Sequence, residues 1–175
     1  MKLNGVKIMV MNAYNNLHSF EETAVTEYNF LYGGHNGVMA FTSPSNRIFT
    51  VVGGPYINKP DFAFGVKMAA EINLPCDVSV PTNDYSVPDK EQLRRGLIKT
   101  LLAMNNHNII YVGCMGGIGR TGLFIAALVK IFHPNIEPVL YTRANYLSCA
   151  VETLEQQRYI ADLYVDDIRD LIRLM

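Results

Sequence analysis

The sequence predicts one α/β domain with a central, mostly parallel sheet of about four to five strands flanked by helices. Three observations indicate this. The 175 residues, 49% of them hydrophobic, are enough for one domain with one core. Short β-branched or aromatic runs come first and then alternate with segments of helical periodicity. From Thr121 onward the periodicity is helical almost without a break.

Five short runs are predicted to be strands, because each is rich in β-branched or aromatic residues and is bounded by Gly, Pro, Asn or Ser. They are VKIMVM, GVMAFT, RIFTVVGG, CDVSVP and NIIYVG, at residues 6–11, 37–42, 47–54, 76–81 and 108–113. The last of these runs leads directly into a glycine-rich turn.

Two segments between the strands, residues 60–73 and 88–106, are predicted to be helices. Both begin with Pro-Asp and repeat apolar residues at spacings of three and four. In the last third of the chain only Pro134 and Pro138 interrupt the helical pattern. The apolar stripe near the end consists of Ile160, Leu163, Ile168, Leu171 and Ile172.

Charge and cysteine content narrow the function classes. Fifteen basic and sixteen acidic residues are scattered without blocks, so no footprint for nucleic acid or an anionic membrane is present. No apolar run is long enough for a leader peptide or a membrane span. Three widely spaced cysteines favour reduced thiols and a cytoplasmic location. Cys76 and Cys149 are expected to be small buried side chains, with a redox partnership with Cys114 as the alternative.

The turn CMGGIGRT has the composition of an anion-binding site. Five residues separate Cys114 from Arg120, and Gly116, Gly117 and Gly119 allow the backbone to curl so that successive N–H groups point into one concavity. The helix that is expected to start near Arg120 adds its N-terminal dipole at the same point. A phosphate or a thiolate would be stabilised there.

Cysteine is the natural nucleophile in such a turn. A free thiol is mostly protonated at neutral pH, whereas a helix N-terminus, converging amides and a guanidinium favour the thiolate. Arg120 offers a planar fork for two phosphate oxygens, and the hydroxyl of Thr121 is placed to donate to the sulfur. These groups predict phosphoryl transfer through a cysteinyl-phosphate.

Attack by a thiolate also requires a carboxylic acid that protonates the leaving oxygen. Asp84 lies in a proline-punctuated loop thirty residues before Cys114, as expected for an acid on a movable flap. Asp89 is the rival, but it directly follows Pro88 and is better placed to cap a helix. Asp84 is therefore the predicted acid.

The motif CMGGIGRT resembles the C-x5-R-[S/T] signature of the cysteine-dependent protein tyrosine phosphatases, and the sequence is most similar to their small dual-specificity branch. The segment NDYSVPDKEQL resembles the acid loop of that branch, in which an aspartate stands four residues before a proline, here Asp84 and Pro88. The segment AVETLEQQ, at 150–157, resembles the part that carries Gln or Glu near the water of the second step. The resemblance covers residues 76–163, the expected catalytic core of one domain over 1–175, and leaves 1–60 unmatched.

The resemblance implies a two-step mechanism without a metal or a cofactor. Cys114 attacks phosphorus, Arg120 and the turn amides hold the phosphate oxygens, and Asp84 protonates the leaving group. Water then cleaves the intermediate with the help of Gln156 or Glu152. The implied substrate-binding residues in the turn are Met115, Gly116, Gly117, Ile118 and Gly119. The implied partner is a phosphorylated protein or a small phosphomonoester.

Several alternatives accompany this interpretation. The family usually has histidine before the nucleophile, where this sequence has Gly113, and a phosphate-binding module without turnover is therefore the second hypothesis. A rhodanese-like or arsenate-reducing use of the loop would not need Asp84. Gln156 also fits a capping pair with Thr153, and Arg143 is expected on a solvated helix face. Since MGGIG holds no basic residue, phosphotyrosine or dual-specificity protein substrates are favoured over polyanionic ones.

Overall fold

The computed structural model describes residues 36–173 of the chain. The strand predicted at 6–11 lies outside the described residues, as does the N-terminal part of the domain predicted over 1–175. The described residues belong to one compact unit, His35–Met175.

A five-stranded sheet forms the centre of this unit. Its strands are β1 (Gly37–Thr42), β2 (Ile48–Pro55), β3 (Phe64–Ala69), β4 (Val78–Thr82) and β5 (Ile109–Cys114). Their order across the sheet is β1-β2-β5-β3-β4. Only β1 and β2 pair antiparallel within this sheet, whereas β2–β5, β5–β3 and β3–β4 are parallel. The predicted mostly parallel sheet is confirmed.

The helix predicted over residues 60–73 is wrong, because this segment forms a turn and then β3. The turn closes where the N–H of Ala63 bonds to the carbonyl of Pro60 at 3.1 Å. Strand β3 lies between β5 and β4, and Val66 and Met68 on one face are buried together with Gly65 on the other. A strand covered on both faces does not alternate apolar and polar residues. The spacing of apolar residues in this segment therefore resembled that of a helix.

Five helices surround the sheet in the described range. They are α1 (Lys90–Ala103), α2 (Gly119–Phe132), α3 (Pro138–Asn145), α4 (Leu154–Asp162) and α5 (Asp166–Ile172). A short 3-10 turn, Tyr56–Asn58, follows β2. The helix predicted over 88–106 is confirmed as α1, and the helical pattern of the last third is divided among four helices. None of the helices between residues 36 and 173 is long and apolar enough to cross a membrane.

Helix α2 is the centre of the core. All its residues are buried except Lys130, whose ammonium group donates to the carbonyls of Ile160 and Ala161 near the end of α4. A cation at this position also compensates the negative end of the α4 dipole. The N-terminus of this buried helix, at Gly119, follows the turn at the end of β5.

The parallel strands place three connecting segments at one edge of the sheet, because their carboxyl ends meet there. The 3-10 turn follows β2, residues 83–89 follow β4, and residues 115–118 follow β5. The glycine-rich turn and the loop of Asp84 are therefore neighbours.

His133, which ends α2, predicts a pH dependence of stability. Burial lowers the pKa of its imidazole, which packs near the rings of Phe41 and Tyr141. Since the unfolded chain binds this proton more readily, the free energy of unfolding should fall as pH drops below about 6.5, at no more than about 1.4 kcal/mol per pH unit. Urea unfolding between pH 7.5 and 5 measures the slope. His133→Phe should reduce it, and the exposed-site variant His107→Gln should not.

Candidate active site

The glycine-rich turn wraps its backbone around the sulfur of Cys114. The Sγ atom is buried and accepts a hydrogen bond from the N–H of Gly117 at 3.2 Å. Gly117 has a φ of +69°, and a Cβ there would meet the backbone of Gly54 at 2.3 to 2.5 Å. Only glycine combines that conformation with this close approach. One N–H of the predicted concavity thus faces the predicted nucleophile.

The outer side of the turn is held by two side chains that the sequence analysis missed. The Nδ2 of Asn36 donates to the carbonyls of Gly116 and Gly117 at 2.7 and 2.9 Å. The hydroxyl of Tyr146 donates to the carbonyl of Gly117 at 2.5 Å. These contacts span 80, 81 and 29 residues of sequence, so no local motif announces them.

Arg120 is buried, with 2% of its side chain exposed, and both of its terminal nitrogens contact carboxylates or a carbonyl. Its Nη1 and Nη2 bind the two carboxylate oxygens of Glu71 at 2.8 and 2.7 Å, and Nη1 also donates to the carbonyl of Thr82 at 2.9 Å. Burial is the largest single effect and lowers the pKa of Arg120, but the hydrogen bond to Glu71 and the nearby charges of Cys114, Glu71 and Asp84 together raise it. The same bond lowers the pKa of Glu71.

Glu71 was missed because it lies in the segment predicted to be a helix. It is the second residue after β3, and a carboxylate shortly after a parallel strand is a signal for a site at that edge of the sheet. Correct assignment of β3 would have revealed it.

Asp84 lies beside Arg120, with Oδ1 at 3.1 Å from Nη2 and 59% of its side chain exposed. Its neighbour Tyr85 is exposed and has a φ of +56°, a strained conformation for such a residue. Asp89 instead accepts from the N–H groups of Glu91 and Gln92 at 3.0 Å and caps α1. The prediction that Asp89 caps a helix is confirmed, and Asp84 remains the predicted acid.

Thr121 departs from the expectation. Its hydroxyl is buried and has no hydrogen-bond partner, so the bond to the sulfur is not made in this conformation. The donor to the sulfur is the backbone of Gly117.

Gln156 and Glu152 both approach the turn. The capping pair of Thr153 and Gln156 is confirmed, because the N–H of Gln156 donates a hydrogen bond to the Thr153 hydroxyl at 3.1 Å. The Nε2 of the same Gln156 donates to the carbonyl of Ser86 in the acid loop at 3.0 Å. A Cβ on Gly119 would collide with the carboxylate of Glu152 and lie 3.2 Å from Gln156 Oε1. Glycine at this position makes room for both.

The expectation that Arg143 lies on a solvated helix face is wrong. Its guanidinium donates to the carbonyls of Ala150 and Val151 at 2.9 and 2.8 Å. Val151 has a φ of +57°, which is strained for a β-branched residue. Arg143 thus holds the strained turn that precedes Glu152.

Gly113 stands where the family usually has histidine, and the packing gives the reason. A Cβ there would lie 2.7 Å from the Cα of Tyr56 and 2.9 Å from the carbonyl oxygen of Gly54. The 3-10 turn after β2 occupies the space that a histidine would need.

The other cysteines are less buried than expected. Cys149 is exposed and Cys76 is half-buried, and both are free thiols. Cys76 precedes β4 whereas Cys114 ends β5, so the two lie at opposite ends of a parallel sheet and are not redox partners. No group of three or more His, Cys, Asp or Glu side chains between residues 36 and 173 is arranged to hold a metal ion.

Comparison with known proteins agrees with this geometry. Residues 63–133 match a family model described as "Tc-R-P: Polymorphic toxin system, DSP-PTPase phosphatase". Two uncharacterized proteins of Methanocaldococcus jannaschii are 33% and 31% identical over 84 and 83 residues. Each match covers 47% of this chain, and the chain spans about half of the relatives, 56% and 52% of their lengths.

Solved structures share the fold. Tk-PTP in its active form superimposes with a TM-score of 0.56 at 23% identity, over 65% of this chain and 90% of that chain. DUSP15 superimposes with a TM-score of 0.58 at 14% identity, over 79% of this chain and 94% of that chain. The resemblance seen in the sequence is thus confirmed: residues 63–133 are similar to the DSP-PTPase phosphatase family, and the described residues share the fold of these solved phosphatases.

Proposed function

We propose that the protein hydrolyses phosphate monoesters through a cysteinyl-phosphate intermediate. The observation that supports this most directly is the convergence of three groups at one turn. The sulfur of Cys114 faces an inward N–H, and Asp84 lies 3.1 Å from the guanidinium of Arg120 that begins the next helix. Nucleophile, anion-binding donors and acid are therefore within the reach of one phosphate group.

In the first step, the Cys114 thiolate attacks phosphorus and the bond from phosphorus to the ester oxygen breaks. Asp84 gives its proton to the departing oxygen, which leaves as an alcohol or a phenol. The phosphate takes the place of Asp84 at Nη2 of Arg120, while Glu71 keeps the guanidinium in its plane. The turn amides stabilise the charge on the three remaining oxygens.

In the second step, water attacks the cysteinyl-phosphate and the sulfur–phosphorus bond breaks. Asp84, now a carboxylate, takes a proton from this water, and inorganic phosphate leaves. Gln156 and Glu152 both lie against Gly119, where they are placed to orient the water. The thiolate of Cys114 is regenerated.

For the substrate we propose a phosphoprotein, with phosphotyrosine preferred or with dual specificity. Exposed apolar side chains lie on the segments around the phosphate-binding position: Met115 in the glycine-rich turn, Tyr85 in the acid loop and Ile57 in the 3-10 turn. Glu71 and Asp84 add negative charge near the phosphate. Apolar edges favour an aryl ester, and the carboxylates disfavour a second phosphate.

A phosphate-binding module without turnover is the second candidate. It is favoured by the absence of space for a histidine at Gly113 and by the pairing of both terminal nitrogens of Arg120 with Glu71, Thr82 and Asp84. Such a protein would bind phosphate and release no product from any ester.

Hydrolysis of an aryl phosphate by variants tests the assigned roles. Cys114→Ser should abolish turnover, because the hydroxyl is a far weaker nucleophile than a thiolate. Asp84→Asn should lower kcat by roughly 10²–10⁴ with a phenyl phosphate that needs protonation. Asp89→Asn is the matched control, since asparagine also caps helices, and should leave kcat unchanged.

Two results would contradict these roles. Full activity in Asp84→Asn would indicate a reaction without a general acid. Phosphate binding by the wild type without any ester hydrolysis would favour the binding module.

Replacement of Glu71 tests the carboxylate that holds Arg120. Glu71→Gln removes a charge-assisted, bidentate contact, and kcat/KM should fall by about 10–100-fold as the guanidinium loses its orientation. The control Glu91→Gln breaks only an exposed pair with Arg95 on α1. Equal kcat/KM for the wild type and Glu71→Gln would show that the pair is dispensable.

The substrate class is tested by phosphate release from a panel of compounds. Phosphotyrosine peptides should give the highest kcat/KM, followed by phosphoserine and phosphothreonine peptides, because aryl esters fit the apolar edges. Inositol phosphates and nucleotides should be poorer. A clear preference for either of the last two would overturn the protein-substrate assignment and leave the chemistry intact.

A further inference from the structure

The orientation of two peptide units decides whether the glycine-rich turn attracts or repels an anion. In a planar trans peptide the C=O and N–H groups point in opposite directions. The carbonyl of Gly116 shares its peptide plane with the N–H of Gly117, and the carbonyl of Gly117 shares its plane with the N–H of Ile118. Whatever holds these two carbonyls outward therefore also points the two N–H groups inward.

Asn36 and Tyr146 supply the groups that hold them. The amide of Asn36 donates to both carbonyls, at 2.7 and 2.9 Å, and the hydroxyl of Tyr146 donates to that of Gly117 at 2.5 Å. On the opposite side, the N–H of Gly117 bonds to the sulfur of Cys114. Three bonds on one side and one on the other fix the direction of these peptides.

Both donors are fixed to the sheet rather than to the turn. The backbone N–H of Asn36 bonds to the carbonyl of Gly53 in β2 at 2.7 Å. The ring of Tyr146 packs on Gly53 and Gly37 so closely that a Cβ at Gly53 would lie 2.5 Å from ring carbons and the hydroxyl. Two glycines on adjacent strands thus leave room for the ring, and its hydroxyl reaches the turn from a rigid position.

The turn needs such an external support. Gly116 and Gly117 have no side chains, and a rotation of the peptide between glycines meets little steric resistance. A rotated unit would present a carbonyl oxygen to a bound phosphate and turn an attractive dipole into a repulsive one. The histidine that usually helps to position this loop in the family is excluded here by the contact of Gly113 with Tyr56.

We propose that Asn36 and Tyr146 are positioning residues, which hold the peptide units between Gly116 and Ile118 in the anion-binding orientation. They replace, from outside the turn, the support that the missing histidine would give. This inference concerns the same site as the proposed function, but it makes a claim about phosphate binding that does not require turnover.

The test uses the full chain and inorganic phosphate as the probe. Binding to the Cys114→Ser protein is measured by calorimetry, alone and combined with Tyr146→Phe or Asn36→Asp. Tyr146→Phe keeps the packed ring and removes one donor, and should raise Kd by about 3–10-fold. Asn36→Asp replaces the donating amide nitrogen with a carboxylate oxygen, which repels the two carbonyl oxygens that it faces. This variant should raise Kd by about 10–100-fold. With active protein, the same variants should lower kcat/KM for an aryl phosphate.

Tyr159→Phe is the matched control, because its buried hydroxyl has no partner and its loss should leave phosphate binding unchanged. A purely structural role would lower Tm in Tyr146→Phe without changing Kd, and this result would overturn the proposal. Unchanged Kd with unchanged Tm would overturn it as well. If Asn36→Asp fails to fold, Tyr146→Phe decides alone. Weaker phosphate binding in a protein that hydrolyses nothing would support this inference and reject the proposed function.

Discussion

The pairing of Arg120 with Glu71 is the interaction on which the arrangement of the site depends. An arginine that is 2% exposed cannot remain unpaired, since removing the partner of a buried charge costs about 3–5 kcal/mol. Glu71 follows β3, and the Thr82 carbonyl bound by the same guanidinium ends β4. One side chain at the start of α2 therefore connects the ends of two neighbouring strands. The loop that carries Asp84 begins at the end of β4, which brings Asp84 close to the glycine-rich turn.

The sequence was sufficient to predict those features that depend on residues close together in the chain. The turn after β5, the cap of Asp89 on α1 and the pair of Thr153 with Gln156 all depend on residues a few positions apart, and each has a recognisable pattern. The same reasoning failed for β3, because a strand between two others is buried on both faces and loses its alternation. That error also concealed Glu71, so a mistake in local structure became a mistake in the site.

Contacts between distant segments could not be predicted from one sequence. Asn36 lies 80 residues before the carbonyl it binds, and one tyrosine among ten gives no sign that its hydroxyl reaches the turn. The same limit applies to Gly113, whose neighbour Tyr56 lies in the 3-10 turn that follows β2. For Thr121 the residue type suggested a bond to the sulfur, but its buried hydroxyl has no hydrogen-bond partner. The residues that give the turn its chemistry are close together in sequence, whereas the contacts that hold its conformation come from distant segments.

The hydrogen bond from Gln156 to the carbonyl of Ser86 has a consequence for timing. The amide nitrogen at the start of α4 is attached to the loop that bears Asp84, while the oxygen of the same amide faces Gly119. Swinging the loop outward would break this bond, whereas the oxygen of the amide would keep its bond from the N–H of Thr153. Opening of the loop and loss of this bond to α4 therefore coincide, while the oxygen of the amide stays beside Gly119.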